Sequence, residues 1–119
     1  MISDGNFRKA EHILKSKDFR GVYRSGVWAK KNAVVLYSLP NALGHNRIGF
    51  SIGSRYVKLA TSRNRIKRLF REIFRKRKKS LKTAFDIVVV VRKGFGKDIK
   101  HAEIEDLFLG LLKRIGIMA

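Results

Sequence analysis

Cysteine is absent from these 119 residues, which excludes disulfides and thiolate metal sites and fits a reducing compartment. Proline occurs once, at Pro40, and no Gly- or Ser-rich stretch or internal repeat divides the chain. A single domain over residues 1–119 is therefore expected, with residues 1–15 as an irregular arm of weak periodicity. Long apolar runs are missing too: the longest, Ile87 to Val91, is far too short to span a bilayer. The first residues, "MISDGNFRKAEHILK", lack the apolar core of a signal peptide, so the simple reading is a cytoplasmic protein with no membrane role. Acids are scarce and scattered, nine Asp and Glu in all, and the three histidines stand far apart in sequence. Neither a catalytic residue nor a metal ligand set emerges from that distribution.

What the chain has instead is positive charge. Lys and Arg number 28, giving a formal net charge of +19 and an isoelectric point near 11.1. Self-repulsion of that size weakens a compact state and points to a polyanionic partner, with nucleic acid ahead of an anionic membrane surface. Apolar residues make up 45%, including eight Phe and one Trp, so the chain can still bury a globular core.

Turn and periodicity signals order that core. "SKDFRGVYRSG" reads as a short helix with Ser16 as N-cap, Gly26 as stop, and Phe19, Val22 and Tyr23 on one face. Asn32 to Leu39 reads as a strand ending at Pro40, and "RIGFSI" (Arg47 to Ile52) as a second strand running back from the turn "PNALGHN". "SGVWAKK" before them reads as a short edge strand or a lead-in, with Trp28 at core or rim. Thr61 or Ser62 is placed to cap a basic helix, and "TAFDIVVVVRKG" holds the unbroken apolar run of a strand buried on both faces. After a turn at Gly94 and Gly96, Asp98 is placed to cap a last helix. Its apolar stripe runs through Ile104, Leu107, Phe108, Leu111, Leu112 and Ile115. The predicted class is α+β, a two-layer sandwich of helices against a mostly antiparallel sheet.

The basic helix carries the strongest functional signal. In "SRNRIKRLFREIFRKRKK" the apolar positions Ile66, Leu69, Phe70, Ile73 and Phe74 cover about one third of the circumference. Asn64, Lys67, Arg68, Arg71 and Arg75 fall opposite, and Glu72 is the one acid. Like charges spaced i, i+4 cost about a few tenths of a kcal/mol per pair, and burying the other face does not require arginines. A merely solvated face usually mixes signs. This one reads as a phosphate-binding stripe, with Arg suited to forked contacts and the helix N-terminal amides as an added anion site.

At "RNRIKRLFREIF" the sequence resembles the protein component of bacterial ribonuclease P, whose central helix bears an Arg-Asn-Arg/Lys-x-Lys-Arg-x-x-Arg motif. Arg63, Asn64, Arg65, Lys67, Arg68 and Arg71 occupy those positions. "KDFRGVYRSG", "VVLYSL", "RIGFSI" and "FDIVVVVRKG" resemble the flanking elements, so the likeness runs from about Leu14 to Ile115. The segment before the motif departs from the family pattern. In "SRYVKLATS", Tyr56 replaces a usual basic residue, Lys58 stands where Gly is usual, and the connection is one residue longer.

The resemblance implies an α-β-β-β-α-β-α order, a ribosomal-protein-like RNA-binding fold in which the motif helix makes a left-handed crossover between parallel strands. It also implies a subunit that is inert alone and serves an RNA catalyst removing the 5′ leader of precursor tRNA. Magnesium ions would be held mainly by that catalytic RNA and the substrate. The expected partners are the catalytic RNA and precursor tRNA, with no homo-oligomer. The motif residues, together with Arg75, would bind RNA. Phe19, Tyr23 and Tyr37, with Ser51 beside them, would line a cleft for the single-stranded leader. By spacing alone, Phe19 and Tyr23 fit a core as well as a stacking surface. Two other readings share the charge and size: a ribosomal or other structural RNA binder, and a non-specific DNA-compacting protein.

Overall fold

The computed structural model describes residues 11–12, 15–95 and 99–119. Most of the expected N-terminal arm, together with Gly96 and Asp98, lies outside those residues.

Helix α1 (Ser16–Ser25) starts one position earlier than a Ser16 cap requires. Lys15 is the extended N-cap residue, and its carbonyl accepts the Asp18 amide at 3.0 Å, so backbone rather than a hydroxyl closes the first turn. The helix stops at Gly26, as the sequence suggests, but for want of space and not for a left-handed turn. A Cβ there would overlap the Val22 carbonyl oxygen and stand 2.7 Å from that of Ser38. The chain then enters β1 (Val27–Lys31), which confirms the edge strand, and returns through Asn32 and Ala33 into β2 (Val34–Pro40). Asn32 belongs to the turn and not to the strand: its φ of 54° is a left-handed conformation that Asn tolerates.

Strand β3 (Arg47–Ile52) does run opposite to β2, yet the two are not neighbours. β4 (Phe85–Val91) lies between them, antiparallel to β2 and parallel to β3, and the order is β1-β2-β4-β3. This placement follows from composition. The apolar run in β4 needs cover on both faces and both edges, whereas Arg47 and Ser51 suit an edge strand. Helix α2 (Ala60–Lys76) links the parallel pair β3 and β4, the connection the crossover demands. It begins before Thr61 and Ser62, with Leu59 at the cap and no side-chain capping bond. The Arg63 guanidinium anchors that end instead, donating to the Val57 carbonyl at 2.7 Å and the Lys58 carbonyl at 2.9 Å. Helix α3 (His101–Arg114) follows, with Lys100 as N-cap; its amide donates to the Glu103 carboxylate at 3.4 Å.

Strand alternation divides the interior. Ala29, Val34, Leu36, Ile48, Ile87, Val89 and Val91 face α2 and α3 in the larger core. There Ile66, Phe70, Ile73 and Phe74 of α2 are buried with Ile104, Phe108, Leu111 and Leu112 of α3; Leu69 is only partly covered. Phe70 meets Phe108 edge-on, with centroids 5.1 Å apart. Burying each such ring contributes about 1.5–3 kcal/mol, enough to override repulsion along the charged side of α2. The opposite sheet face is covered at one end by α1, through Val22 on Val88 with Phe19, Tyr37, Leu39 and Val90 around them. The sandwich of α2 and α3 on the sheet thus leaves a second face only partly roofed.

Candidate nucleic-acid interface

On the roofed face, register fixes which side chains lie side by side. Pairing aligns Trp28, Tyr37, Val88 and Gly49 in one row across the four strands, and Lys30, Val35, Val90 and Ser51 in the next. The row nearest the start of α1 holds Leu39, Asp86 and Arg47. Arg47 grips Asp86 with two bonds, Nε to Oδ1 at 2.8 Å and Nη2 to Oδ2 at 2.6 Å, and reaches Asp18 of α1 at 3.5 Å. Asn41 adds a bond to Asp86 Oδ1 at 2.8 Å. The hydrogen bonds Arg47 donates to the Asp86 carboxylate hold its guanidinium above its usual pKa, so it stays a cation. This linked set ties the start of α1 to β3 and β4, and α1 becomes the wall of a cleft over a floor formed by the two rows. In that floor Trp28, Lys30 and Ser51 are exposed, Tyr37 and Val90 half-buried, and Val35, Val88 and Gly49 buried.

Three of the four expected leader-binding residues converge there. The rings of Phe19 and Tyr23 lie 6.4 Å apart on the wall, and Tyr23 meets Tyr37 edge-on at 5.1 Å. Phe19 and Tyr37 are half-buried, while Tyr23 is 40% exposed, so the cluster is part core and part surface. Ser51 is exposed on the same floor, two strands away from Tyr37 across β4. Trp28 belongs to the rim: it is 61% exposed beside Tyr37. The sequence pattern left its place open, although the period-2 alternation in "VWAK" already puts Trp28 and Lys30 on one face.

The basic helix lies on the other side of the sheet, and its cations divide into outward and engaged groups. Asn64 and Arg68 are exposed and Lys67 is half-exposed. Arg63 holds the preceding connection, and Arg65 donates to the Ile99 carbonyl at 3.2 Å. Arg71 lays its guanidinium over the Phe50 ring, 5.3 Å from the centroid, and burial lowers its pKa. Arg75 is ion-paired with Glu72, which also has Lys76 at 3.8 Å. The Arg75 hydrogen bond holds the Glu72 carboxyl below its ordinary range, so part of the stripe is neutralised within the helix. Of the seven expected RNA-contacting side chains, then, Asn64, Lys67 and Arg68 stand outward. The other four also serve the fold.

Among the described residues no group of three or more His, Cys, Asp or Glu is placed to hold a metal ion. Asp18 and Asp86 do come together, but about the Arg47 guanidinium, which bonds both Asp86 oxygens and reaches Asp18 Oδ2, so a cation already stands where a resident magnesium ion would have to sit between them. No helix among the described residues is long and apolar enough to cross a membrane.

A family model described as Ribonuclease P matches residues 7–116. The chain is 41% identical over 116 residues to the ribonuclease P protein component of Ectopseudomonas mendocina, covering 97% of this chain and 84% of that one. It is 40% identical over 111 residues to that of Azotobacter vinelandii, covering 92% and 84%. Among solved structures, the ribonuclease P protein of Staphylococcus aureus superposes with a TM-score of 0.83 at 31% identity, over 93% of this chain and 100% of that one. With the mixed architecture of one four-stranded sheet and three helices, these likenesses establish that the chain belongs to the ribonuclease P protein family, the protein subunits of a tRNA-processing endoribonuclease.

Proposed function

We propose that this chain docks on the catalytic RNA of ribonuclease P through α2 and holds the single-stranded 5′ leader of precursor tRNA in the cleft under α1. The carrying observation is the pairing of two surfaces across one strand: β3 packs against the basic helix on one face and contributes Ser51 to the aromatic cleft on the other. Asn64, Lys67 and Arg68 meet RNA phosphates first, while Arg63, Arg65, Arg71 and Arg75 set the helix surface and add charge around them. Phe19, Tyr23 and Tyr37 offer ring faces to unstacked bases, a contact worth roughly 1–3 kcal/mol per base with little sequence preference. That tolerance suits an enzyme meeting many leaders. Catalysis belongs to the RNA, with magnesium held by RNA and substrate; the protein's part is electrostatic and positional.

Reconstitution tests the reading. The chain alone is expected to leave precursor tRNA intact, and the chain with catalytic RNA and magnesium to release the leader at the mature 5′ end. Phe19→Ala should weaken precursor tRNA binding by roughly 1–3 kcal/mol and leave mature tRNA binding unchanged. Equal losses for both ligands would contradict leader contact, and co-purification with ribosomal subunits in place of one RNA would favour a ribosomal role.

A further inference from the structure

We propose that Trp28 and Lys30 on the edge strand β1 form a further single-strand RNA subsite, outside the Phe19–Tyr23–Tyr37 cluster. One unpaired base stacks on the indole and its phosphate meets the Lys30 ammonium. The inference rests on the cleft reading above and extends it to a position where the sequence offered no assignment.

Several observations converge on this occupant. A 61% exposed tryptophan on a sheet face costs solubility, and nothing among the described residues covers it. It is not an isolated apolar side chain, because register sets it directly beside Tyr37, itself in edge contact with Tyr23. Aromatic residues therefore occupy successive positions from the wall of the cleft to the sheet edge. Lys30 is exposed two residues on, so it shares the face of Trp28 and supplies a cation next to the ring. No acid stands in either row; Asp86, in the third row, is already engaged by Arg47. Ser51 and Lys30 are the exposed ends of one row, three strand spacings apart, about 14 Å at roughly 4.8 Å each, so one extended strand is long enough to touch both. An indole beside an ammonium suits a base and its phosphate; an apolar peptide would leave the lysine without a counter-charge. Duplex RNA keeps its bases stacked inside and has no face to offer the ring.

Trp28 is the one tryptophan of the chain, so its emission reports this position alone. Whole protein is titrated with a labelled single-stranded oligoribonucleotide of about eight nucleotides, within the usual site size of such grooves, and with the same sequence as a duplex. The expected result is quenching of Trp28 by the single strand and not by the duplex. Affinity, read from the label's anisotropy, should fall about tenfold in Trp28→Leu, at the lower end of one stacked base, and much less in Trp28→Phe. Lys30→Ala should reduce the salt slope of binding by about one unit.

Equal quenching by the duplex, or unchanged affinity in Trp28→Leu with a normal folded-state spectrum, would overturn the subsite. A Phe19→Ala arm separates this from the parent reading. Loss on Phe19→Ala without any on Trp28→Leu leaves the cleft and removes the subsite. Loss on Trp28→Leu alone keeps the subsite and removes the cleft. Loss in neither removes both.

Discussion

Gly26 is where a single hydrogen atom in place of a methyl group decides how α1 sits. Its position against the carbonyl oxygens of Val22 and Ser38 leaves no room for a Cβ, and both obstacles are backbone. Flexible side chains elsewhere give way to a methyl, but a helix end and a paired strand do not. Gly26→Ala should therefore destabilise the chain by about 2 kcal/mol, read from chemical denaturation, with the strain falling on the α1–β2 junction. Because α1 is also the wall of the cleft, the same variant should lose affinity for single-stranded RNA beyond what unfolding accounts for, measured well below its denaturation midpoint. Arg71 and Arg68 make a second contrast at this scale. Arg68 is exposed, so Arg68→Ala should lower the salt slope of RNA binding by about one unit and leave stability within ~0.5 kcal/mol. Arg71 lies over the Phe50 ring, so Arg71→Ala should cost stability as well, about 0.5–2 kcal/mol from the lost ring contact. Parallel salt titrations and thermal melts of the two variants would check the split.

Elements were more legible than their neighbours. The apolar spacing of α2 and α3 and the apolar run of β4 are local patterns, and each element forms where its pattern lies. Cap positions were less legible, because Lys15, Leu59 and Lys100 take them without side-chain capping hydroxyls, and Arg63 steadies α2 from beyond its first turn. Strand order was not legible from periodicity at all: only long-range pairing puts β4 between β2 and β3. The cleft shared that fate, since α1 and all four strands supply it, while the basic stripe was visible within one helix. A further contact beyond local pattern is His12, which forms a parallel bridge with Ile48 at the outer edge of β3. Burial, then the nearby Arg71 cation, lowers its pKa from 6.5, with Glu11 opposing. The unfolded chain therefore binds a proton there more readily than the folded one. Stability should be fully present above pH 6.5 and decline as pH falls from 6.5 through the lower folded value. Urea denaturation across that window should show the decline in the native chain and a flatter profile in His12→Gln; identical profiles would count against a buried His12 imidazole.

At the scale of the molecule, the proposed phosphate-binding helix and the proposed leader cleft lie on opposite sides of one sheet. The larger core lies on the α2 and α3 side, and the α1 side carries a smaller one that roofs the sheet only in part. The net charge of +19 lets any polyanion approach, so affinity for RNA in general says little about discrimination. Discrimination on the proposed reading comes from having both surfaces in one rigid body. β3 and β4 are held in parallel register over six residue pairs, with α2 bridging their ends, so the basic helix cannot shift without dragging the cleft floor. A ribozyme clasping that helix would find the substrate's unpaired tail delivered at a fixed offset, as a caliper delivers a width. Leader identity could then vary freely from one transcript to the next, because what the body standardises is distance.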